Sequence, residues 1–221
     1  MKMKSEWWLH RMAAFIGGFT GIYTVTARMN FANAQTLNLL EAVESLFGRN
    51  PAEFMLHFTG AVLYAGAIFT ATILSRKSKI NMRLFSMAVN ICGFIVFALL
   101  PADMKIYASI YPAFIMMSVQ WVIFGGLNGY NSSPIFSTNN LRQMSASFAE
   151  YLCDHKHEHL DKAKYFGGTL IFFHTGAAAG YFAVKAMGTK AAYVGIIPCL
   201  IVSAIEISGL VCQRAKAENR I

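Results

Sequence analysis

The chain has 221 residues, 56% of them hydrophobic and only 14% charged, with a mean hydropathy of +0.44 and a formal net charge of +8. A soluble domain carries about a quarter charged residues, and here the apolar residues come in membrane-length blocks, so the composition excludes an ordinary soluble globule. The basic residues lack the clustering and aromatic context that nucleic-acid binding needs, so no nucleic-acid partner is expected.

Six apolar blocks follow in chain order, at 7–27, 54–74, 82–100, 106–124, 165–187 and 191–211. A helix crosses the hydrocarbon with about 20 apolar residues, and each block is of that length. None shows the period-2 alternation of a membrane β-barrel. The predicted fold class is an all-α integral membrane protein with six transmembrane helices. The N-terminus, "MKMKSEWWLHRMAAF", begins like a signal peptide, and "ANA" at 32–34 mimics a cleavage site. Arg28 and Asn30 separate the apolar run from that site, so the first block reads as a retained helix.

The first block contains "GGFTG" at 17–21, whose Gly17 and Gly21 have the spacing that lets helices pack closely. Next comes "NFANAQTLNLL", predicted as a half-helix over 30–47, with Asn33, Gln35, Thr36 and Asn38 as candidate substrate-binding residues. The second block carries His57 near its start and "TGA" at 59–61, and a basic loop, "RKSKINMR", leads to the third. The fourth block ends at "GGLNG", 125–129, where Gly125 and Gly129 repeat the packing spacing and Asn128 is a further binding candidate. A second amide-rich half-helix is predicted over 136–152, with Thr138, Asn139, Asn140 and Arg142 as binding candidates.

The loop "DHKHEHLDK", 154–162, alternates His155, His157 and His159, has no zinc-site spacing, and reads as solvated. The fifth block carries His174 near its middle and a second "TGA" at 175–177; the sixth carries Glu206. Both are candidates for a proton relay, because intramembrane ionisable groups are costly and mark functional sites. Glu206 also suits a carboxylate snorkelling to the surface. Cys92, Cys153, Cys199 and Cys212 show no paired spacing, and no metal, cofactor or catalytic motif is expected.

The halves echo one another: the Gly-x-x-x-Gly pairs, "TLNLL" against "TNNLR", and the two "TGA" triplets recur in the same order. The first repeat is drawn as 1–105 and the second as 106–221, each with three spans and one half-helix, within one membrane domain. Three is odd, so the second copy is inverted relative to the first, a plan found in secondary transporters. With the N-terminus inside, 14 of the 19 Lys and Arg residues fall on the cytoplasmic side. By the positive-inside rule both termini are then cytoplasmic and the protein is multi-pass in the inner membrane.

The stretches "GGFTGIYTVTARMNFANAQTLNLL" and "GGLNGYNSSPIFSTNNLRQMSASFAE" resemble the DUF1275, or YoaK-like, family of bacterial membrane proteins. The family pattern there is a Gly-Gly-x-x-Asp-x-Tyr-Thr opening, Phe-x-Asn-x-Gln-Thr-Gly-Asn, and a later Thr-Gly-Asn-Leu-Arg. Gly21 stands where the family usually has the acid, Leu37 and Asn139 replace the glycine of the two Thr-Gly-Asn motifs, and Asn128-Gly129 replaces a common Gln-Asn. The resemblance implies a six-helix inner-membrane transporter of no stated substrate.

The residues point to a transporter or facilitator, not an enzyme, for a small polar or anionic solute bound at the midplane between the half-helices. The alternatives are a passive channel of the same architecture and, behind it, a membrane-embedded enzyme or lipid-binding protein. Its surroundings would be the lipid bilayer, with a homodimer allowed by analogy to larger carriers.

Overall fold

The structure, a computed structural model, describes residues 2–104, 106–126 and 129–218. Among them there is no β-strand, and nine α-helices run in the order α1 (Lys2–Arg28), α2 (Thr36–Phe47), α3 (Pro51–Lys77), α4 (Met82–Leu99), α5 (Ile106–Ser109), α6 (Tyr111–Phe124), α7 (Thr138–Asp154), α8 (His157–Met187) and α9 (Ala192–Glu218). A 3-10 turn, Gly188–Ala191, joins α8 to α9. The all-α class is as expected.

Three helical stretches are long and apolar enough to cross a membrane: α3, α4 and the 57-residue stretch His157–Gln213. At a rise of about 1.5 Å per residue, that last stretch is roughly 85 Å long, more than twice the hydrocarbon thickness. It is folded back on itself at Gly188, whose φ of +58° suits glycine. These stretches mark the chain as a membrane protein.

Four predicted elements differ in the structure. The fourth block is broken at Ile110 into α5 and α6, because Pro112 lies in the first turn of α6 and cannot continue a helix through itself. That leaves α6 only 14 residues long. The histidine-rich loop does not stay a loop: α7 ends at Asp154, His155 turns left-handed with φ 57°, and α8 begins at His157. The half-helices begin later than drawn, at Thr36 and Thr138, with irregular backbone before each.

Cross-helix contacts set the directions. Arg11 lies against Gly168, Phe15 against Gly176 and Phe19 against Gly180, so α1 and α8 run parallel. Phe94 meets Gly195 and Arg83 pairs with Glu206, so α4 and α9 are antiparallel. The Tyr111 hydroxyl donates to Leu56 O and Phe114 covers Gly60, making α3 and α6 parallel. Met116 on Gly93 and Asn90 on Gln120 make α4 and α6 antiparallel. Phe19 on Phe94 and Tyr23 on Phe97 make α1 parallel to α4, so the six helices α1, α3, α4, α6, α8 and α9 alternate in direction along the chain.

Glycine makes the tightest of these contacts. A side chain at Gly18 would strike the carbonyl of Phe173, and one at Gly176 the carbonyl of Phe15. The backbones of α1 and α8 therefore meet directly, the close approach that drives helix association without a hydrophobic difference from lipid. Around this pair lie the fully buried Phe19, Tyr23, Phe94, Phe97 and Phe114.

Candidate functional site between two half-helices

After Arg28 the chain turns back along α1 instead of leaving it. Asn30 N and Ala32 N bond to Thr24, and Asn33 then reaches Gly17, seven residues, or about 10 Å, further along the helix. From the other end, the segment after α6 climbs α1 in the opposite sense. Ser132 Oγ lies 3.0 Å from His10 Nε2, and Pro134 and Ile135 lie against Gly17. The two segments meet there: the Asn33 amide donates to Gly17 O and to Ile135 O, both at 2.7 Å. Gly17 is near the middle of α1, so the two irregular segments converge at mid-length of the bundle.

Each half-helix starts from this seam and runs outward. The N-cap positions, Gln35 for α2 and Ser137 for α7, make no side-chain capping bond. By contrast Asn50 and Asn81 cap α3 and α4. Several buried polar atoms around the seam have no partner among the described residues: Asn33 Oδ1, Gln35 Nε2, Thr20 Oγ1 and Ser137 Oγ. Two uncapped helix N-termini carry unsatisfied N–H groups and positive partial charge, a setting that suits an anion or a polar solute.

The candidate residues divide by helix face. Asn38 is buried, donates to His57 O and Gln35 Oε1, and accepts from His57 Nδ1 at 3.0 Å. Asn140 is buried likewise; its amide donates to Ser133 O and Phe136 O while its oxygen accepts from Ser132 Oγ and Ser133 N. Thr36, Thr138 and Arg142 are exposed. Asn139 donates to Asn131 O and accepts from Arg142, at the surface. Asn128 lies outside the described residues.

The proton-relay candidates lie away from the seam. His174 is exposed on α8, its Nδ1 donating to Leu170 O within its own turn. Glu206 accepts from Asn81 and pairs with Arg83, which also reaches Glu6, so it ties α9 to the starts of α4 and α1. Of the packing glycines, Gly17 and Gly21 do sit at a close contact, but with the returning loops rather than a helix. Gly125 and Gly129 need correcting. Gly125 caps α6, and Gly129, at φ +80°, meets nothing within 4 Å, so they form no helix-packing pair. The chain has already left the helix there.

Other residues that tie the bundle together are not among the candidate site residues. His10 is fully buried, donates from Nδ1 to Phe124 O, and stacks on Tyr165 at 5.4 Å. Gln120 donates to Ala13 O and accepts from Asn90, bridging α1, α6 and α4. Arg28 donates to Phe97, Leu100 and Pro101 carbonyls and so closes the C-terminus of α4. A polar residue inside an apolar run is the signal that would have found Gln120 and Asn90. His57, near the start of the second block, is buried beside Glu41, 3.7 Å away, with the Tyr107 ring against it.

No curated protein and no solved structure matches the chain. A family model described as a protein of unknown function (DUF1275) matches residues 9–205. The matched region takes in both half-helices, the seam they form and most of the bundle, and the chain belongs to the DUF1275 family.

Proposed function

We propose that this protein is a multi-pass membrane transporter or facilitator for a small polar or anionic solute, which passes at the seam between α2 and α7. The observation that carries the reading is that two half-helices begin uncapped, beside one another, at mid-length of an apolar bundle. Irregular backbone at membrane depth is tolerated where protein or a water-filled path meets it. The buried atoms left unpartnered at Asn33, Gln35, Thr20 and Ser137 give a solute something to bind. The Asn33 amide donates across the seam to Ile135 O and holds it closed, while Asn38 and Asn140 brace their own halves, so loading requires the halves to move apart.

An inverted repeat fits this use. Exchanging α1, α2, α3 and α4 for α6, α7, α8 and α9 turns the contact of α1 with α8 into that of α6 with α3. The same exchange turns α2 with α3 into α7 with α8, and α4 with α6 into α9 with α1, all of which occur. With six crossings, 14 of the 19 basic residues fall on one side, which puts both termini in the cytoplasm. Rocking of one repeat on the other would supply alternating access.

Purified protein in liposomes tests this by osmotic swelling against a panel of small anions and neutral polar solutes. At least one solute should enter faster than into empty liposomes, and no selective entry across the panel would refute the reading. The end-to-end meeting of the half-helices also suits a passive channel; saturation and counterflow mark a carrier, and their absence a channel.

A further inference from the structure

We infer that the trough between α1 and α8 near the N-terminal end of α1 is a binding site for an anionic phospholipid of the adjacent leaflet. Its phosphate would sit between Arg11 and Lys164, with an acyl chain along Ile171 and Phe172. A recess of about 400 Å³ is lined there by Arg11, Lys164, Gly167, Gly168, Ile171 and Phe172. Charge and apolarity are ordered along it. Lys164 stands at the charged end of α8, and Ile171 and Phe172 lie further into the apolar run. A phospholipid has that same order of head and tail.

Arg11 carries the argument. It lies one turn inside Trp7 and about 9 Å along α1 from the Gly17 seam, where a cation is costly without a partner. No carboxylate or carbonyl among the described residues pairs with it. The guanidinium is held instead by ring faces, 5.4 Å from the Trp7 centroid and 5.9 Å from that of Phe172. Gly168 leaves room for it, since a side chain there would strike the guanidinium. The contrast is Arg28 at the other end of α1, whose guanidinium is bonded to three carbonyls. The Trp7 indole N–H beneath Arg11 is also buried without an acceptor. A preformed cation with its bonding directions open, next to an orphan donor and above an apolar trough, calls for an oxyanion with a tail. Arg forks match phosphate oxygens in pairs, and basic pockets between membrane helices hold such headgroups.

The test is native mass spectrometry of the full chain, released from mixed phosphatidylglycerol and phosphatidylcholine, for the wild type, Arg11→Gln/Lys164→Gln and Lys164→Glu. The wild type should retain phosphatidylglycerol in preference. Lys164→Glu, at an exposed position, should weaken that retention about fivefold or more, and the double variant further. Thermal unfolding with phosphatidylglycerol, and separately with inorganic phosphate alone, separates the two sources. Protection by the lipid and not by free phosphate is expected. Equal retention of both lipids, unchanged retention in Lys164→Glu, or protection by free phosphate alone would overturn the proposal.

Discussion

Asn33 gives both hydrogens of its amide to main-chain carbonyls in different parts of the fold, one on α1 and one in the segment before α7. Removing that amide strands Ile135 O, at about 1–3 kcal/mol, and takes from Gly17 O the bond it makes beyond its helical one, at about 0.5–1.5 kcal/mol. Asn33→Ala should therefore unfold earlier in detergent by roughly 2–4 kcal/mol, read from chemical denaturation, whereas exposed Thr36→Ala should change stability by less than about 0.5 kcal/mol. The amides were legible in the sequence as polar groups next to membrane-length runs, and Asn33, Asn38 and Asn140 are indeed buried. Their neighbours are not, for a helical reason: two residues apart on a helix is about 200° of rotation, so Thr36 and Thr138 face away when Asn38 and Asn140 face in. His10 and Ser132 were illegible because each means little without the other, and they are 122 positions apart.

Glycine decides whether the elements can meet. Gly18→Ala and Gly176→Ala each push a methyl into a carbonyl of the facing helix, and each should cost about 1–3 kcal/mol by forcing α1 and α8 apart. Gly66→Ala and Gly209→Ala meet nothing within 4 Å and should be neutral or stabilising by up to about 1 kcal/mol through helix propensity. Thermal unfolding of the four variants side by side checks both halves of that statement. The spacing of Gly17 and Gly21 was readable, but which partner each would meet was not, since a loop and a helix make the same demand for a small residue. The half-helices show their environment through an inverted polarity. On α2, Asn38, Ala42 and Ser45 are buried while Leu40 and Phe47 are 62% and 81% exposed, the pattern of a helix with lipid outside.

The junction of α7 and α8 gives the element scale its pH dependence. The Asp154 carboxylate is held below its ordinary range, first by the Lys156 backbone N–H that donates to it and then by the Lys156 and His159 side chains. Its contribution to the junction is present above the usual carboxylate range and lost as pH falls through the lowered value. Amide exchange at Lys156 should accelerate beyond the intrinsic rate only under acid conditions, and Asp154→Asn should remove that dependence.

At the scale of the whole molecule, membrane-length blocks and basic loops made the helical class readable, but not the break at Ile110 or the return of two segments to one point on α1. Those depend on contacts between distant parts of the chain, Asn33 with Ile135 above all. The central claim is that solute passes where those segments meet. It is tested most directly by placing single cysteines at Gln35 and Ser137 in a chain freed of Cys92, Cys153, Cys199 and Cys212, with Leu37→Cys as the control on the apolar face of α2. A water-soluble, charged thiol reagent added to proteoliposomes should label Gln35→Cys and Ser137→Cys, spare Leu37→Cys, and lower solute entry in the two that react. Labelling confined to Leu37→Cys, or full labelling at 35 and 137 with entry unchanged, would contradict the account.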